Sequence, residues 1–456
     1  MEQIGSKLDG STLEFEATYN DGEEDMSRKA VTLGAIGMGA LVAAMAQPVY
    51  AQQPQSGASE GIQDIVVTAR RTEESLQTTP IAVTALTPEA LTTAKVENVV
   101  DLQRTAPGLV IGRGSAGGDG IVFVAIRGQG NLQPILANDP AVATYIDGIY
   151  IPRPSTGMTD IQDVQRLEVL RGPQGTLFGR NTTGGAINIV TNDPNDQLSG
   201  AFKAEFGNYS TLGAQANINV PLAEGLAIRL SGAISDRDGY GDNFATHRDF
   251  SDNNSKFLRG KLKYEGNGWD LTLSGDWNRQ YNHGQQIALW AFNPAIVPAA
   301  FQPGLTAGLL TKDHWWGNTA TGTSVPATIG TLTPEARALY GVQPFNTLEV
   351  YGFSGTLNIE LGGLNFKSIT GYRHSMNYGQ NDTDGTAVPL LATFAGSGSY
   401  YVSQEFQLSG NITDSLSFIT GAYAGKESGY EFSRSQIFGG LIRDSNADVT
   451  NKTFGL

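Results

Sequence analysis

The sequence contains no cysteine among its 456 residues. This absence excludes disulfides, thiolate metal sites and cysteine nucleophiles, and it leaves the redox compartment open. Charged residues are scarce too, at 16% of the chain, and the formal net charge is −15 without any basic run. Proteins that bind nucleic acid gather Lys and Arg on one face, so the composition argues against that class of partner.

Long apolar runs are missing after residue 50. The four histidines lie far apart, without the i, i+4 spacing of a metal-binding helix, so we expect no enzyme, no metal site and no cofactor. Glycine, in contrast, is abundant at 57 residues, beside a hydrophobic fraction of 40%. This combination favours many short strands joined by tight turns.

The N-terminal region has the three parts of a secretory signal peptide. Residues 26–29 give a basic start, residues 30–46 are small and apolar, and small residues at Val49 and Ala51 form a cleavage site. We therefore interpret residues 1–51 as an acidic leader followed by a signal peptide. We expect translation to start at Met26, where the basic part begins. A buried or membrane-spanning helix is the alternative.

Residues 52–74 begin with a flexible linker of Gln, Pro, Ser and Gly. An acidic residue and a β-branched run follow the linker: Asp64, Ile65, Val66, Val67 and Thr68. The run predicts a strand without a partner in the chain, which could pair with the edge of another protein. An ordinary strand of the folded domain is the alternative.

A glycine-rich string covers residues 170–191 and reads LRGPQGTLFGRNTTGGAINIVT. Strand signals at 166–170 and 186–190 flank it, so we expect a strand, a compact loop and a returning strand. Shorter pieces precede it, among them a helix start at 87–89 with threonine as cap and proline at the first position. In the order and the sequence of these motifs, residues 64–195 resemble the plug region of TonB-dependent outer-membrane receptors.

That resemblance implies a membrane all-β protein, in which an α+β plug domain fills a 22-stranded-type antiparallel β-barrel. Residues 52–74 would then be a periplasmic linker with the TonB box, the segment through which these receptors contact TonB. Residues 75–195 would be the plug, and residues 196–456 a partial transmembrane barrel. The TonB-binding residues would be the five of the β-branched run, from Asp64 to Thr68.

After residue 195 apolar and polar residues alternate. For example, Trp269, Leu271 and Leu273 share one face of a strand, and Asp270 and Thr272 share the other. A soluble β-sandwich alternates in the same way. Strands of about ten residues, aromatic strand ends and long inserts favour a membrane barrel.

About nine strands are expected, near residues 198–206, 211–220, 226–236, 256–265, 269–280, 347–360, 364–376, 400–410 and 415–432. A plugged transporter barrel needs about 22 strands. We therefore interpret the chain as a fragment of a longer protein or the product of a broken gene.

Three charges stand out because the family resemblance gives them a role. Arg127 and Arg171 each end a plug strand, and Glu405 lies on the polar face of a barrel strand. Similar positions in the family fasten the plug to the barrel wall, and the resemblance implies the same here, with a second wall glutamate outside this chain. The alternative is three unrelated surface charges.

Ligand contacts are expected at the plug apex and in the long insert between residues 281 and 346. The apex candidates are Asn131, Gln133 and Asn138. The insert contributes aromatic side chains, which offer a large apolar area for a ligand but could equally pack the loop onto itself: Trp290, Phe292, Trp315 and Trp316.

The function implied by the resemblance is TonB-coupled uptake of a scarce ligand through the outer membrane of a Gram-negative bacterium. An iron–siderophore complex is the expected ligand, although no residue selects it. The proton-motive force of the inner membrane would drive uptake, with TonB and its energising complex, the ligand and outer-membrane lipid as partners. The alternatives are a secreted or surface all-β binding protein without transport, and a truncated remnant that never assembles.

Overall fold

The computed structural model of the protein describes residues 65–68, 70–72, 74–96, 99–113, 122–131, 136–153, 162–242, 249–284, 344–382, 391–413, 416–437 and 441–455. All of these belong to one compact unit, Pro54–Leu456. The predicted signal peptide lies outside the described residues. So do several candidate site residues, which stay predictions: Asp64, Gln133, Trp290, Phe292, Trp315 and Trp316.

The first part of the described chain is an α+β domain. Its strands are β1 (Val66–Val67), β2 (Glu74–Ser75), β3 (Val83–Leu86), β4 (Leu109–Arg113), β5 (Val122–Ile126), β6 (Gln129–Gly130), β7 (Val142–Ile146), β8 (Ile149–Ile151), β9 (Val164–Arg171) and β10 (Gly185–Thr191). Its helices are α1 (Pro88–Thr93), a 3-10 helix (Val99–Arg104) and α2 (Gly175–Phe178). The predicted start of α1 is confirmed, because the Thr87 side chain accepts a hydrogen bond from the Ala90 amide at 3.3 Å.

A five-stranded sheet of order β3-β9-β10-β7-β8 forms the centre of this domain. β7 and β10 run parallel, and the other neighbours run antiparallel. One face of the sheet is covered by a core that includes Leu91, Leu102 and Ile126, and Leu167 and Val169 of β9 point into it. The domain therefore has an apolar core of its own, independent of the second part of the chain.

The glycine-rich string forms the predicted hairpin, with β9 and β10 antiparallel and Gly185 opposite Arg171. Gly185 has a φ of +147°, and a Cβ there would lie 2.2 Å from the Leu170 carbonyl oxygen. Only glycine fits that approach. The short helix α2 inside the string was not expected from the sequence.

The second part of the chain is one antiparallel sheet of ten strands, here called the wall. Its strands are β11 (Ser199–Gly207), β12 (Thr211–Ala223), β13 (Leu226–Arg237), β16 (Asn253–Gly266), β17 (Trp269–Asn282), β18 (Phe345–Leu361), β19 (Leu364–Asp382), β20 (Leu391–Thr413), β21 (Leu416–Ile437) and β22 (Leu441–Gly455). A small separate pair, β14 (Gly241–Asp242) and β15 (Asp249–Phe250), lies between β13 and β16 in sequence. All nine predicted strands are present, and β22 is a tenth that the sequence analysis missed.

The two ends of the wall differ in the length of their connections. At one end, the tight-turn end, residues 224–225, 267–268 and 362–363 join neighbouring strands. At the other, the long-loop end, the connections include residues 238–252, 283–344 and 383–390.

The apolar face of the wall points away from the α+β domain, here called the plug, and is exposed. Leu258 is 56% exposed and Phe353 63%, whereas Arg259 and Lys261 of the same sheet are 7% and 4% exposed. A soluble sandwich buries its apolar face, so this arrangement is instead typical of strands whose outer face meets lipid. Among the described residues, no helix is long and apolar enough to cross a bilayer.

Candidate functional site

The N-terminal segment, residues 65–68, is docked on the plug. Val66 and Val67 of β1 pair with Ser75 and Glu74 of β2, so the expectation of a strand without a partner in the chain is wrong. Val67 is fully buried in a second core that contains Tyr145, Leu170 and Phe178. This core lies on the opposite face of β9 from the main plug core, because Leu170 alternates with Leu167 and Val169.

The carboxylate of Glu168 binds the docked segment through hydrogen bonds to Thr68. Glu168 Oε1 accepts a hydrogen bond from the Thr68 amide at 2.9 Å, and Thr68 Oγ1 lies 3.0 Å from both carboxylate oxygens. Asn188 Nδ2 donates to Thr68 Oγ1 at 2.9 Å and to Glu168 at 3.2 Å, and Arg166 Nε donates to Glu168 at 2.8 Å. Glu168 is 0% exposed. A buried carboxylate is tolerated only when it is paired and hydrogen-bonded, and these donors meet that demand.

Arg71 extends the docking toward the wall. Its guanidinium lies 4.5 Å from the ring centre of Phe178 and 4.9 Å from that of Tyr145, and its Nε donates to the Leu177 carbonyl at 3.1 Å. Its Nη2 is 4.0 Å from Glu405 of β20. Arg71 thus connects the N-terminal segment, helix α2 and the wall.

Asp163 ties the plug to the wall near the tight-turn end. Arg229 of β13 binds its carboxylate through Nε at 2.7 Å and Nη2 at 2.5 Å, and the Ser231 hydroxyl also donates to it. Burial alone would raise the pKa of Asp163, but hydrogen bonds from Arg229, Ser231 and Asn192 outweigh it, and the pKa lies below its ordinary value. The carboxylate therefore stays charged at neutral pH.

Lys261 of β16 makes a second tie at this end. Its Nζ lies 3.0 Å from Asp147 and 2.8 Å from Asp193, both in the plug region. Burial would raise the pKa of Asp147, but the charges of Lys261 and Arg259 and the hydrogen bonds from Thr191 outweigh it and lower the pKa.

A cavity of about 320 Å³ separates the docked segment from the wall. Thr68, Arg71, Arg166 and Asn188 border it on the plug side. On the wall side it is bordered by residues of β16 to β20 close to the tight-turn end, among them Lys261, Lys263, Asp270, Thr272, Lys367 and Gln407. Thr68, at the end of the docked segment, therefore borders a cavity that is lined mostly by polar side chains.

The predicted plug apex contacts β21, near the middle of that strand. Arg153 binds Glu427 in a bidentate pair, with both nitrogen–oxygen distances at 2.8 Å. The same guanidinium donates to the carbonyls of Leu136 and Asn138, and the Leu136 amide donates to Glu431. Two predicted ligand candidates, Asn131 and Asn138, lie in this region.

The three residues of the predicted plug–wall lock are not joined by any contact that the structure shows among the described residues. Arg127 is exposed, and its guanidinium lies 3.8 Å from the position of a Cβ on Gly172, next to Arg171. Glu405 faces the plug, as predicted, and contacts Arg71 and Gln407. The lock through Arg127 and Arg171 stays a prediction.

Sequence reasoning missed Glu168, Arg153 and Glu427. A single carboxylate inside the apolar run Leu167–Leu170 was a signal for Glu168, because such a strand normally buries no charge. No local signal marks Arg153 and Glu427, which are 274 positions apart. Glu427 is a wall glutamate inside the chain that pairs with the plug, and the expected second wall glutamate outside the chain stays a prediction.

Residues 75–186 match the family model of the TonB-dependent receptor plug domain. The string at 170–191 that carried the resemblance in the sequence falls largely within this match.

Two curated relatives each match about two-fifths of the chain. The pesticin receptor of Yersinia pestis is 32% identical over 190 residues, which are 41% of this chain and 26% of the relative. An iron-regulated outer membrane virulence protein of Vibrio cholerae is 27% identical over 198 residues, which are 39% of this chain and 29% of the relative. The chain thus matches less than a third of the length of either.

The solved structures extend the likeness to the wall. The ferric yersiniabactin uptake receptor of Yersinia pestis superposes with a TM-score of 0.54 at 17% identity, over 82% of this chain and 61% of that one. Identity at this level establishes a shared fold. The fold class expected from the sequence, an α+β plug domain with part of an antiparallel β-barrel, is therefore confirmed, although the described part of the chain has ten wall strands and not about nine.

Proposed function

We propose, from the premise that residues 75–186 form a plug domain of the TonB-dependent receptor family, that this protein takes up a ligand through the outer membrane by TonB-coupled transport. In this proposal the wall lies in the membrane and the plug closes its lumen. The protein performs no covalent chemistry on its ligand.

The observation that carries the proposal is the placement of the plug against the polar face of the wall. Asp163, Asp147 and Arg153 of the plug bind Arg229, Lys261 and Glu427 of the wall, while leucine and phenylalanine side chains cover the outer face. A lumen filled by charged ties and surrounded by an apolar exterior suits a plugged transporter and does not suit a secreted binding protein.

The segment at residues 64–68 is the proposed contact for TonB, the energising partner. Its strand β1 offers backbone groups for pairing with another chain. In the docked state Val67 is buried and Thr68 is bound to Glu168, so partner binding has to compete with docking. Withdrawal of the segment would also enlarge the polar cavity beside it.

The proposed ligand is an iron–siderophore complex. Support comes from the relatives, whose names include an iron-regulated outer membrane protein and a ferric yersiniabactin uptake receptor. The proposed binding surface is the plug apex around Asn131 and Asn138, together with the aromatic candidates of the insert.

The test is uptake of ⁵⁵Fe-labelled siderophores by iron-starved cells of the source bacterium, with and without deletion of residues 64–68. We expect iron bound at the cell surface to be unchanged by the deletion and iron accumulated inside to fall to the level of a strain without TonB. Collapse of the proton gradient should have the same effect in the unaltered strain.

Two results would refute this function. One is accumulation that survives both the deletion and the loss of TonB, because then the segment does not couple transport to energy. The other is a protein that does not fractionate with outer membranes.

A further inference from the structure

The apex loop at residues 136–139 is held by an arginine that the sequence analysis did not single out. Arg153 follows β8 and lies in the interior, with its side chain 9% exposed. Its Nη1 donates to the Asn138 carbonyl and its Nη2 to the Leu136 carbonyl, each at 2.8 Å. One guanidinium thus fixes two carbonyls that are two residues apart.

Glu427 of β21 completes the arrangement. Its carboxylate binds Arg153 Nε and Nη2, and its side chain is 4% exposed. Asn451 of β22 also approaches it, at 3.4 Å. A bidentate pair in a buried place has one strongly preferred geometry, because any rotation would leave a charge without its partner.

The loop has further contacts to both strands. The Leu136 amide donates to Glu431 of β21 at 2.8 Å. Arg180 contacts Asp139 of the loop and Thr453 of β22. The Asp139 carbonyl accepts from Asn131 at 3.2 Å. The loop is therefore bound on both sides, although it contains no helix or strand.

We propose that Arg153, held by Glu427, is a positioning residue that sets the shape of the apex loop and couples it to wall strand β21. The proposal rests on the proposed function only for the role of the loop in binding a ligand. Arg153 acts on the shape of the loop, because its guanidinium binds Glu427 and the two loop carbonyls. A ligand that shifts Leu136 or Asn138 has to break bonds to the same guanidinium that holds β21.

The first test is hydrogen exchange of the peptide at residues 131–141 in the purified whole protein. Arg153→Lys keeps the charge, but an ammonium cannot reproduce the bidentate pair with Glu427 together with both carbonyl bonds, because it has three donors on one atom and lacks the planar fork of arginine. Glu427→Gln keeps the shape and removes the charge. Loss of a hydrogen bond to a charged group predicts exchange faster by about tenfold or more in both variants.

Arg434→Lys is the matched control. Arg434 forms a bidentate pair with Asp444 between β21 and β22, at 2.8 and 3.2 Å, but both side chains are about half exposed. The control should leave exchange of the loop unchanged. Unchanged exchange in Glu427→Gln and Arg153→Lys would overturn the proposal, and so would an equal increase in the control. If Arg153→Lys does not reach the membrane, Glu427→Gln decides.

A second measurement reports the loop directly. Because the chain has no cysteine, Ala137→Cys supplies a single thiol at an exposed position of the loop. A nitroxide there should gain mobility when Arg153→Lys is added and not when Arg434→Lys is added. An immobile label in the Arg153→Lys background would contradict the proposal.

The ligand arm uses ferric complexes of a catecholate, a hydroxamate and a carboxylate siderophore. For any complex that the unaltered protein binds, Arg153→Lys should weaken affinity by about tenfold. Unchanged affinity with a loosened loop would refute the role in binding. If the unaltered protein binds none of them, the siderophore function fails while the exchange and mobility results still decide the role of Arg153.

Discussion

Thr68 and Glu168 form a side-chain recognition site inside the plug. The threonine hydroxyl donates to the carboxylate and accepts from Asn188, and the Thr68 amide donates to the same carboxylate. Every polar group of this small set has a partner, so the site is selective for a hydroxyl at position 68.

Thr68→Val tests this selectivity because valine has the shape of threonine without the hydroxyl. It leaves Asn188 and the buried Glu168 each short of a hydrogen bond, which costs about 1–3 kcal/mol. We expect the segment to undock more often. The measurement is the labelling rate of a single thiol at Val67→Cys, a buried position, which should rise about tenfold.

Thr68→Ser is the control, since it keeps the hydroxyl and should label at nearly the rate of the unaltered segment. Equal rates in the valine and serine variants would show that the hydroxyl does not hold the segment.

At this scale the sequence indicated which face of a strand some residues occupy but not what they contact. The β-branched run was identified, and so was the inward direction of Glu405. Some partners of these residues are distant in sequence, such as Glu168, which lies 100 positions from Thr68, and only the folded chain brings them together. Alternation along a strand fixes a face but not a partner.

Among the elements, the tight turns of the wall depend on glycine to different degrees. Gly225 and Gly268 both have positive φ angles, +72° and +77°, and the carbonyl of each accepts a backbone hydrogen bond. A Cβ on Gly225 would lie 2.3 Å from the Glu265 carbonyl oxygen, whereas a Cβ on Gly268 meets nothing within 4 Å.

Gly268→Ala should therefore lower the free energy of unfolding only by the strain of a left-handed backbone conformation at alanine, about 1–2 kcal/mol. Gly225→Ala adds a backbone clash, which raises the cost by about 1–3 kcal/mol. The measurement is the urea concentration at the midpoint of unfolding in lipid vesicles. The folded fraction is read from the migration of unheated samples on gels. Equal midpoints for the two variants would contradict the geometry of the 224–225 turn.

The tenth strand shows where pattern reading of elements fails. β22 reads LIRDSNADVTNKTFG, and neither of its alternating faces is apolar over more than a few residues. Its place in the sheet comes from backbone pairing with β21 from Ile437 opposite Leu441 to Tyr423 opposite Gly455. The other nine strands each carried an apolar face, and their approximate positions were predicted for that reason.

On the scale of the whole molecule, the exposed apolar face of the wall allows a test of whether this face meets lipid or water. Leu258→Arg places a charge near the middle of β16, where the cost in a bilayer is about 2–4 kcal/mol. Leu222→Arg is the control, since Leu222 is similarly exposed but lies at the tight-turn end, where the cost is about 0–1 kcal/mol.

The measurement is the folding free energy of both variants in lipid vesicles. A depth-dependent difference is expected. If the outer face of the wall met water instead of lipid, both leucines would be harmless surface positions, and equal, small effects would therefore refute the membrane location.

The overall architecture was predictable because it rests on a long, specific string and on strict alternation. The contacts inside the lumen were not predictable, since their ion pairs join plug residues to wall residues that lie tens to hundreds of positions away in the sequence. Arg229 with Asp163 and Arg153 with Glu427 are examples, at 66 and 274 positions apart.

The unequal connections of the wall also decide where this protein can change without losing its register. Two-residue turns such as 267–268 leave no slack, and an added residue there would displace one strand against the next. The connection at 283–344 already spans many residues between strands that pair directly. Insertions therefore belong at that end, where added residues leave the pairing of the strands unchanged.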